Sequence, residues 1–569
     1  MSYRAPVAEM RFYLERVLDA GRLAETGRFA EATPETTAAV LAEAARLAED
    51  VLAPLRRAGD LEGARLENGV VCATPGFAKA YRAIAKGGWV GLAARPEHGG
   101  MGLPQVVLAC VNEMFAGANL ALSLCPLLSQ GQIEALEHHA SPEVRAVFLP
   151  TLVDGTWTGT MNLTEPQAGS DVGAVRTRAE RAEDGTYRLS GQKIFISWGD
   201  HDMAENVCHL VLARLPDGGP GTKGLSLFLV PKLLPDADGR PSAANGVRAL
   251  SLEHKLGLHG SPTCVMEFAD AAAWLVGEEH RGMAAMFTMM NNARLGVGVE
   301  GLSQAEAALQ AARGYAGERR QGGTPAGAPE TIAGHPDVRR MLATMAATVA
   351  IARAICLDCA LALDMAAATG DEGWRARGAF LTPIAKAFGT EAGCEVSALA
   401  MQVFGGAGYI EETGIAQFYR DVRVTAIYEG TNGIQAMDLV GRKLADGGGV
   451  AHRLIEEVEE TARQAAGDRG ARLAAAAQRL AAATGWMAAA EPDDRFAGAV
   501  PFLRAFALTL GGHYLVKAAL AEGEGGPRDA LASFHLRHLL PQAAALCEAA
   551  SSGAATLYAM DLGSEQGGR

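Results

Sequence analysis

Residues 426–433 read Ala426-Ile427-Tyr428-Glu429-Gly430-Thr431-Asn432-Gly433 and place one carboxylate on a short, glycine-flanked segment. A basic stretch, Arg420 to Arg423, precedes this segment. A Glu-Gly pair found alone is typical of a solvated turn. Two further segments support a functional role for this Glu-Gly pair. They are Thr164-Glu165-Pro166-Gln167-Ala168-Gly169-Ser170-Asp171 and Gln402-Val403-Phe404-Gly405-Gly406-Ala407-Gly408. The three segments, taken together and in their order along the chain, carry the fold assignment.

The composition around these segments is that of a large globular protein. A chain of 569 residues exceeds the size of a single hydrophobic core and predicts three or four subdomains. Hydrophobic residues make up 49% and charged residues 20%, which excludes a disordered chain. Aromatic residues make up only 6% and alanine is abundant, which favours helices. The formal net charge of −14 argues against a nucleic-acid partner, because such proteins usually carry a basic patch.

The cysteines and the apolar runs indicate a cytoplasmic protein without a membrane segment. Nine scattered cysteines suit a reducing compartment. Cys356-Leu357-Asp358-Cys359 has the spacing of a redox motif, but it lies in a helical pattern, so we interpret it as helix packing and expect no metal. Glu9 and Glu15 come too early for a transit peptide, and no apolar signal region precedes them. The longest uncharged run, residues 114–133, contains Asn119 and Pro126 and predicts buried helix rather than a membrane span.

The hydrophobic period changes twice along the chain, which predicts an α+β protein that is mainly α. A helical pattern begins with Thr36 or Thr37 as the candidate cap. Short β-rich runs separated by glycine turns then predict an antiparallel β domain, and helices return at 283–320, 335–370, 375–404 and 413–444. The expected division is a 1–35 N-terminal extension, a 36–156 N-terminal helical domain, a 157–280 middle β domain, a 281–447 C-terminal helical domain and a 448–569 additional helical domain.

From about residue 36 to residue 444 the chain resembles the flavin-dependent acyl-CoA dehydrogenase family, through the three segments quoted above. The resemblance implies the fold of that family, with FAD as the cofactor and an acyl-CoA thioester as the substrate. It also implies an electron-transfer flavoprotein as the electron acceptor. Gly219-Pro220-Gly221-Thr222-Lys223-Gly224 has the spacing of a dinucleotide fingerprint, but it precedes a strand and opens no helix, so a Rossmann-type site is not supported.

The resemblance assigns the flavin contacts residue by residue. Phe195 and Ser197 stand where the family usually carries Trp and Thr, so an aromatic face and a hydroxyl are retained, and Trp198 is not assigned the stacking role. Arg319 is expected to reach the flavin of a neighbouring subunit, which implies a homodimer. The full set of expected flavin contacts is Met161, Leu163, Thr164, Phe195, Ser197, Arg319, Gln402, Gly405, Gly406, Thr431, Asn432 and Gly433.

The catalytic base implied by the resemblance is Glu429. Desaturation of an acyl thioester removes an α proton while a hydride leaves the β carbon, and a carboxylate can take that proton if the carbonyl is polarised. Some family members carry the base immediately before the residue that matches Arg294, but Ala293 stands there and cannot take a proton. The expected substrate contacts are Ser170, Asn291, Arg294 and Gly430.

Several alternatives stay open at the level of sequence. An acyl-CoA oxidase shares the fold and base but passes electrons to oxygen, and a DNA-protective flavoprotein of the same fold is disfavoured by the acidic charge. A non-catalytic flavin-binding protein is disfavoured because both the base and Ser170 are present. The extensions at both ends, with Gly87-Gly88-Trp89, resemble a longer bacterial subgroup that includes the methylthiopropanoyl-CoA dehydrogenases.

Overall fold

The computed structural model describes residues 3–561 of the chain. The chain forms two compact units, each assembled from three segments of sequence. The first unit contains Met1–Val7, Gly27–Gly296 and Tyr409–Arg423, and the second contains Ala8–Thr26, Val297–Gly408 and Val424–Arg569. The expected division into an extension and four domains stays a prediction.

The helices that precede the main sheet are α1 (Val7–Phe12), α2 (Pro34–Leu47), α3 (Arg56–Leu61), α4 (Phe77–Lys86), α5 (Gln105–His139) and α6 (Pro142–Val153). The start of α2 differs from the prediction, because Thr33 rather than Thr36 or Thr37 is the N-cap. The hydroxyl of Thr33 accepts a hydrogen bond from the backbone N–H of Thr36 at 3.2 Å. Pro34 then occupies the first helical position, where its missing N–H costs nothing.

The strands are β1 (Arg65–Glu67), β2 (Val70–Cys72), β3 (Trp157–Asn162), β4 (Arg178–Arg181), β5 (Tyr187–Ser197), β6 (Asn206–Arg214), β7 (Leu225–Pro231), β8 (Leu233–Pro235), β9 (Pro241–Ala244), β10 (Val247–Leu252) and β11 (Thr263–Val276). The main sheet has the order β10-β11-β5-β4-β6-β3, with β7 pairing with β11 and β6. The predicted β domain is therefore present, but the sheet is mixed rather than wholly antiparallel. Strand β3 pairs in parallel with β6, because the chain forms β4 and β5 before it returns to lie beside β3.

The later helices are α7 (Gly282–Glu318), α8 (Pro336–Thr369), α9 (Glu372–Phe404), α10 (Ile415–Val422), α11 (Asn432–Asp438), α12 (Gly449–Gln464), α13 (Gly467–Ala489), α14 (Pro492–Ala497), α15 (Ala499–Glu522), α16 (Pro527–Phe534), α17 (Pro541–Ala550) and α18 (Ala555–Tyr558). The predicted helices 283–320, 335–370 and 375–404 correspond closely to α7, α8 and α9. The predicted helical run 413–444 is wrong as a single element, because Glu429 and Gly430 have φ angles of +55° and +81° and separate α10 from α11.

The C-terminal helices of the second unit pack on α8 through a buried polar network. The carboxylate of Asp358 on α8 accepts a hydrogen bond from Arg377 of α9 at 2.7 Å, and another from the hydroxyl of Tyr514 on α15. Arg377 also bonds Glu457 of α12 at 2.6 Å. Within this unit, residues 8–26 of the N-terminal extension add Tyr13 and other buried apolar residues.

Three helices, α5, α8 and α15, are long and apolar enough by length and composition to cross a membrane. The apolar stretch of each is mostly buried inside the protein.

Cys356 and Cys359 are buried on α8, and the Cys359 thiol lies 3.7 Å from the carbonyl oxygen of Gly378 on α9. Cys72 and Cys394 are partly exposed. Among residues 3–561 there is no cluster of three or more His, Cys, Asp or Glu side chains that could hold a metal ion.

Candidate functional site

In the first unit, the segment that leaves β3 is held against β5 by its backbone. The carbonyl oxygen of Thr164 accepts a hydrogen bond from the N–H of Ile194 at 2.9 Å, and that of Leu163 accepts one from the Lys193 ammonium at 2.9 Å. Met161, Leu163 and Thr164 are half-buried. These contacts fix the path of the three residues that the resemblance assigns to the flavin.

A buried ion pair between Glu165 and Lys193 supports the same segment. Lys193 is fully buried, its ammonium lies 2.9 Å from the Glu165 carboxylate, and that carboxylate also accepts hydrogen bonds from the hydroxyl of Thr177 and the N–H of Arg176. Burial disfavours the charge of Glu165, but the Lys193 charge and the donated hydrogen bonds outweigh it and lower the pKa of Glu165 to about 2. Burial lowers the pKa of Lys193 to about 8. Sequence reasoning missed this pair, because only the strand register brings the two residues together.

Phe195 on β5 is an exposed aromatic residue, whereas the nearby Trp198 is buried. Phe195 is 59% exposed and has a φ of +60°, at a bulge where β5 carries one residue more than the facing part of β11. Trp198 is buried, packs near Phe77, and donates its indole N–H to the carbonyl oxygen of Ala121 at 3.1 Å. Ser197 is half-buried. Phe195 therefore presents the free ring face in this part of the unit.

The expected substrate contacts of the first unit lie on a turn and on α7. Ser170 is exposed on the turn after Glu165, and Asn291 is exposed on α7. Arg294 and Ala293 are both buried on the same helix. Arg420, which belongs to the basic stretch before the Glu429 segment, pairs with the buried carboxylate of Asp60 at 2.6 Å, so it supports the fold of this unit.

In the second unit, Glu429 lies on a tight turn between a 3₁₀ turn, Arg423–Ala426, and α11. The backbone N–H of Tyr428 donates to the carbonyl oxygen of Val424 at 3.0 Å. The side-chain amide of Gln435 then donates to the carbonyl oxygens of both Glu429 and Gly430 at 3.2 Å. A Cβ at Gly430 would lie 2.9 Å from the same amide nitrogen, so only glycine fits this close approach.

The residues after Gly430 begin α11. The hydroxyl of Thr431 accepts a hydrogen bond from the N–H of Ile434 at 3.3 Å and caps the helix. The side-chain oxygen of Asn432 accepts one from the ammonium of Lys386 at 2.9 Å. Lys386 is fully buried on α9, so the start of α11, including Gly433, is tied to that helix. Sequence reasoning missed Lys386.

Sequence reasoning also missed Glu300. This residue is buried on α7, and its carboxylate accepts a hydrogen bond from the hydroxyl of Tyr428. One signal was available, because an acidic residue inside the apolar run Val297-Gly298-Val299-Glu300-Gly301-Leu302 is unusual unless it has a buried partner.

The ends of α7 and α9 lie together in the second unit. The ring of Tyr315 on α7 stacks on that of Phe404 on α9, with ring centroids 4.1 Å apart. Arg319 is exposed just after α7 ends, and the other predicted flavin contacts there, Gln402, Gly405 and Gly406, are exposed at the end of α9. Gly405 has a φ of +60°, and a Cβ at Gly405 or Gly406 would meet open space.

These residues fit a flavin dinucleotide. The ring system needs an aromatic or apolar face, which Phe195, Met161 and Leu163 can supply. The phosphates need exposed backbone that they can approach closely and a cation, which the Gly405–Gly406 pair and Arg319 can supply. Phe195, Met161 and Leu163 belong to the first compact unit, and Gly405, Gly406 and Arg319 belong to the second.

Sequence profiles of known families match almost the whole chain. The acyl-CoA dehydrogenase N-terminal domain matches residues 34–156, its middle domain 160–271 and its C-terminal domain 280–445. A fourth profile, the acetyl-CoA dehydrogenase C-terminal-like domain, matches residues 454–561.

Individual proteins agree with these profiles. The 3-methylmercaptopropionyl-CoA dehydrogenase of Ruegeria pomeroyi is 46% identical over 88% of each chain. The broad-specificity linear acyl-CoA dehydrogenase FadE5 of Mycobacterium tuberculosis is 35% identical over 95% of this chain and 96% of its own. The crystal structure of an acyl-CoA dehydrogenase complexed with FAD from Bacillus anthracis superposes with a TM-score of 0.74 at 21% identity, covering 95% of this chain and 91% of the other.

Proposed function

Because this chain belongs to the acyl-CoA dehydrogenase family, it is an FAD-dependent oxidoreductase that converts an acyl-CoA to the trans-2-enoyl-CoA, and we propose that Glu429 is its catalytic base. The observation that carries the proposal is the geometry of the turn. Two successive left-handed residues, Glu429 and Gly430, are held by the single amide of Gln435. Such a turn fixes the backbone from which the carboxylate extends.

The residues of the chain act on the substrate as follows. Glu429 removes the α proton, and its backbone N–H donates to the thioester oxygen, where negative charge develops. FAD, when bound, accepts the hydride that leaves the β carbon. Gly430 would leave room for the substrate. A Cβ at this position would also lie 2.9 Å from the amide nitrogen of Gln435. Ser170, Asn291 and Arg294 contact the remainder of the acyl-CoA.

The residues that the resemblance assigns to the flavin would hold it as follows. Met161, Leu163, Thr164, Phe195 and Ser197 contact the ring system and its immediate surroundings. Gln402, Gly405 and Gly406 would approach the dinucleotide, and Arg319 would reach the flavin of a neighbouring subunit. Thr431, Asn432 and Gly433 complete the site from the start of α11. We therefore propose a homodimer, which light scattering on the purified protein can test.

The acyl group is proposed from the relative with 46% identity. That protein is named for 3-methylmercaptopropionyl-CoA, and it covers 88% of this chain. We therefore expect a short acyl chain with a thioether to be a substrate. The relative named for linear acyl-CoA at 35% identity makes unbranched chains the comparison set. Initial rates with the thioether acyl-CoA and with unbranched acyl-CoAs of increasing chain length will show which substrate the enzyme prefers. A preference for long chains would contradict the expectation.

We also propose an electron acceptor and a cellular compartment for this enzyme. We expect an electron-transfer flavoprotein to reoxidise the enzyme in the cytoplasm, in keeping with nine scattered cysteines and with apolar helices that are buried inside the protein. Production of hydrogen peroxide from acyl-CoA and oxygen at the rate of turnover would instead identify an oxidase. The relatives give no support to a DNA-protective role over dehydrogenation.

The test of the base is anaerobic bleaching of the flavin by acyl-CoA. Glu429→Gln keeps the shape of the side chain but cannot accept the proton, so we expect it to retain FAD and lose bleaching. Glu456→Gln is the matched control, because Glu456 is an exposed carboxylate on α12 of the same unit. We expect this control to bleach at the wild-type rate. Bleaching of Glu429→Gln at an unchanged rate would show that another group is the base.

A further inference from the structure

Glu300 is a buried carboxylic acid that the reaction described above does not use. It lies on α7 in the second unit, and only 2% of its surface is exposed. Its Oε2 atom accepts a hydrogen bond from the hydroxyl of Tyr428. Its Oε1 atom has no hydrogen-bond partner among residues 3–561. A buried carboxylate in such surroundings is costly unless it is paired or keeps its proton.

The charged groups around Glu300 come from two other elements. Tyr428 and Glu429 approach from the turn before α11, and Lys386 approaches from α9. The ammonium of Lys386 donates to Asn432 at 2.9 Å, and its positive charge favours the ionised form of Glu300. Burial is the largest influence on the Glu300 carboxyl and the charge of Glu429 adds to it. Together they outweigh Tyr428 and Lys386 and raise the pKa of Glu300 to about 8.

The contact with Tyr428 connects Glu300 to the turn that carries Glu429. Tyr428 immediately precedes Glu429, and the hydroxyl at the far end of its ring is held by Glu300. The other side of the turn is held by Gln435, whose amide binds the carbonyl oxygens of Glu429 and Gly430. The turn is therefore fixed at its aromatic end by Glu300 and at its glycine end by Gln435.

We propose that Glu300 is a positioning residue for Glu429, which holds the Tyr428 ring in place and adds a second negative charge beside the base when it ionises. This inference rests on the proposed role of Glu429. As the pH rises, Glu300 loses its proton to solvent. The new negative charge beside Glu429 makes Glu429 a stronger base.

The first test is the pH dependence of anaerobic flavin reduction by acyl-CoA, followed by stopped flow. For the wild-type enzyme we expect the rate constant at saturating substrate to rise in a step above neutral pH. Glu300→Gln keeps an acceptor for Tyr428 but cannot ionise, so the step should be lost while the rate below the step is largely retained. Glu306→Gln is the matched control, because Glu306 is a buried carboxylate on the same helix that pairs with Arg353. The control should keep the step.

A second variant changes the step without removing Glu300. The hydroxyl of Tyr428 lowers the pKa of Glu300, so Tyr428→Phe should move the step to higher pH rather than abolish it. This variant keeps the proposal open to refutation if Glu300→Gln does not fold. A step at the wild-type position in Tyr428→Phe would contradict the proposal.

A third measurement does not depend on activity. The folded protein holds the proton of Glu300 up to about pH 8, whereas an unfolded glutamate releases it near pH 4.5. Stability contributed by this proton is fully present below pH 4.5 and is lost as the pH rises towards 8. The melting temperature of Glu300→Gln relative to wild type should therefore increase between pH 5 and pH 8.5. A constant difference would contradict the proposal.

The outcomes separate this inference from the proposed function. If Glu429→Gln loses bleaching and Glu300→Gln keeps the wild-type step, Glu429 is supported as the base and the role of Glu300 is refuted. If Glu429→Gln bleaches normally, the proposed base is wrong, and the role of Glu300 fails with it.

Discussion

Glu429 and Gly430 adopt left-handed backbone angles in succession, and only one of the two is a glycine. A left-handed conformation costs a residue with a side chain about 1–2 kcal/mol, so Glu429 holds a conformation that its own preferences oppose. Such strain persists where the surroundings determine it, and here Gln435 binds both carbonyl oxygens. The conformation of this turn therefore depends on the hydrogen bonds from Gln435 as well as on the residues of the turn itself.

The turn gives a prediction at Gly430. Gly430→Ala adds a Cβ at a φ of +81° and 2.9 Å from the Gln435 amide, so we expect a loss of about 1–2 kcal/mol in the free energy of unfolding. Displacement of the neighbouring Glu429 should also slow flavin bleaching by roughly tenfold or more, since tenfold corresponds to 1.4 kcal/mol. Urea titration and stopped-flow bleaching measure the two effects.

The control for this substitution is Gly485→Ala. Gly485 lies exposed inside α13 with nothing near its Cβ position, so alanine should stabilise the protein by about 0.5–1 kcal/mol and leave bleaching unchanged. Equal stability and equal bleaching for Gly430→Ala and wild type would show that the turn does not need glycine.

At the scale of elements, the segment after β3 depends on β5. Lys193 of β5 bonds both the Leu163 carbonyl oxygen and the Glu165 carboxylate. Lys193→Met leaves Glu165 buried without its counter-charge, and we expect a loss of about 3–5 kcal/mol in unfolding free energy. The Met161–Thr164 segment should loosen at the same time, so less FAD should copurify. Chemical denaturation and the flavin absorbance per protein measure these losses.

The double variant with Glu165→Gln and Lys193→Met is the control for that prediction. It removes both charges together, so we expect it to recover part of the stability that Lys193→Met loses. If the double variant is no more stable than Lys193→Met, the unpaired carboxylate is not the cause of the loss.

Some helices could be predicted from the sequence, whereas one helix break and one strand pairing could not. Helices α8 and α9 were predicted within a few residues, because their apolar pattern is long and their ends carry Gly370 and Asp371 as cap residues. The run 413–444 was predicted as continuous helix, since the left-handed angles of Glu429 and Gly430 are not visible in a hydrophobic pattern. The parallel pairing of β3 with β6 was missed, because strand direction depends on partners that are distant in sequence.

Only those parts of the candidate site that are continuous in sequence could be predicted. The segments around Thr164, Gly405 and Glu429 were recognisable because each is continuous in sequence. Lys193 and Glu300 were missed, since each supports its segment from another element and has no motif of its own. Their roles follow from burial and hydrogen bonding, which a linear pattern does not contain.

At the scale of the whole molecule, the C-terminal helices are integrated into the second unit. Tyr514 of α15 donates to Asp358 of α8, and Arg377 joins both to Glu457 of α12. Tyr514→Phe removes one donor from a buried carboxylate, so we expect a loss of about 1–3 kcal/mol in unfolding free energy. Residues 448–561 should unfold together with α8 and α9, which differential scanning calorimetry and circular dichroism can follow.

Tyr558→Phe is the control for this prediction, because Tyr558 is 76% exposed on α18. Its stability should equal that of the wild type. A separate low-temperature transition for the C-terminal helices, unaffected by Tyr514→Phe, would show that the network does not couple them to α8.

The distribution of thiols has a practical consequence for spectroscopy. Of the nine cysteines, only Cys72 and Cys394 are partly exposed, and they lie one in each compact unit. Nitroxide labels on these two natural side chains would form one spin pair within each chain without any engineered cysteine. Pulsed dipolar measurements on that pair, before and after acyl-CoA is added, would report directly whether the separation of the two units changes during the catalytic cycle.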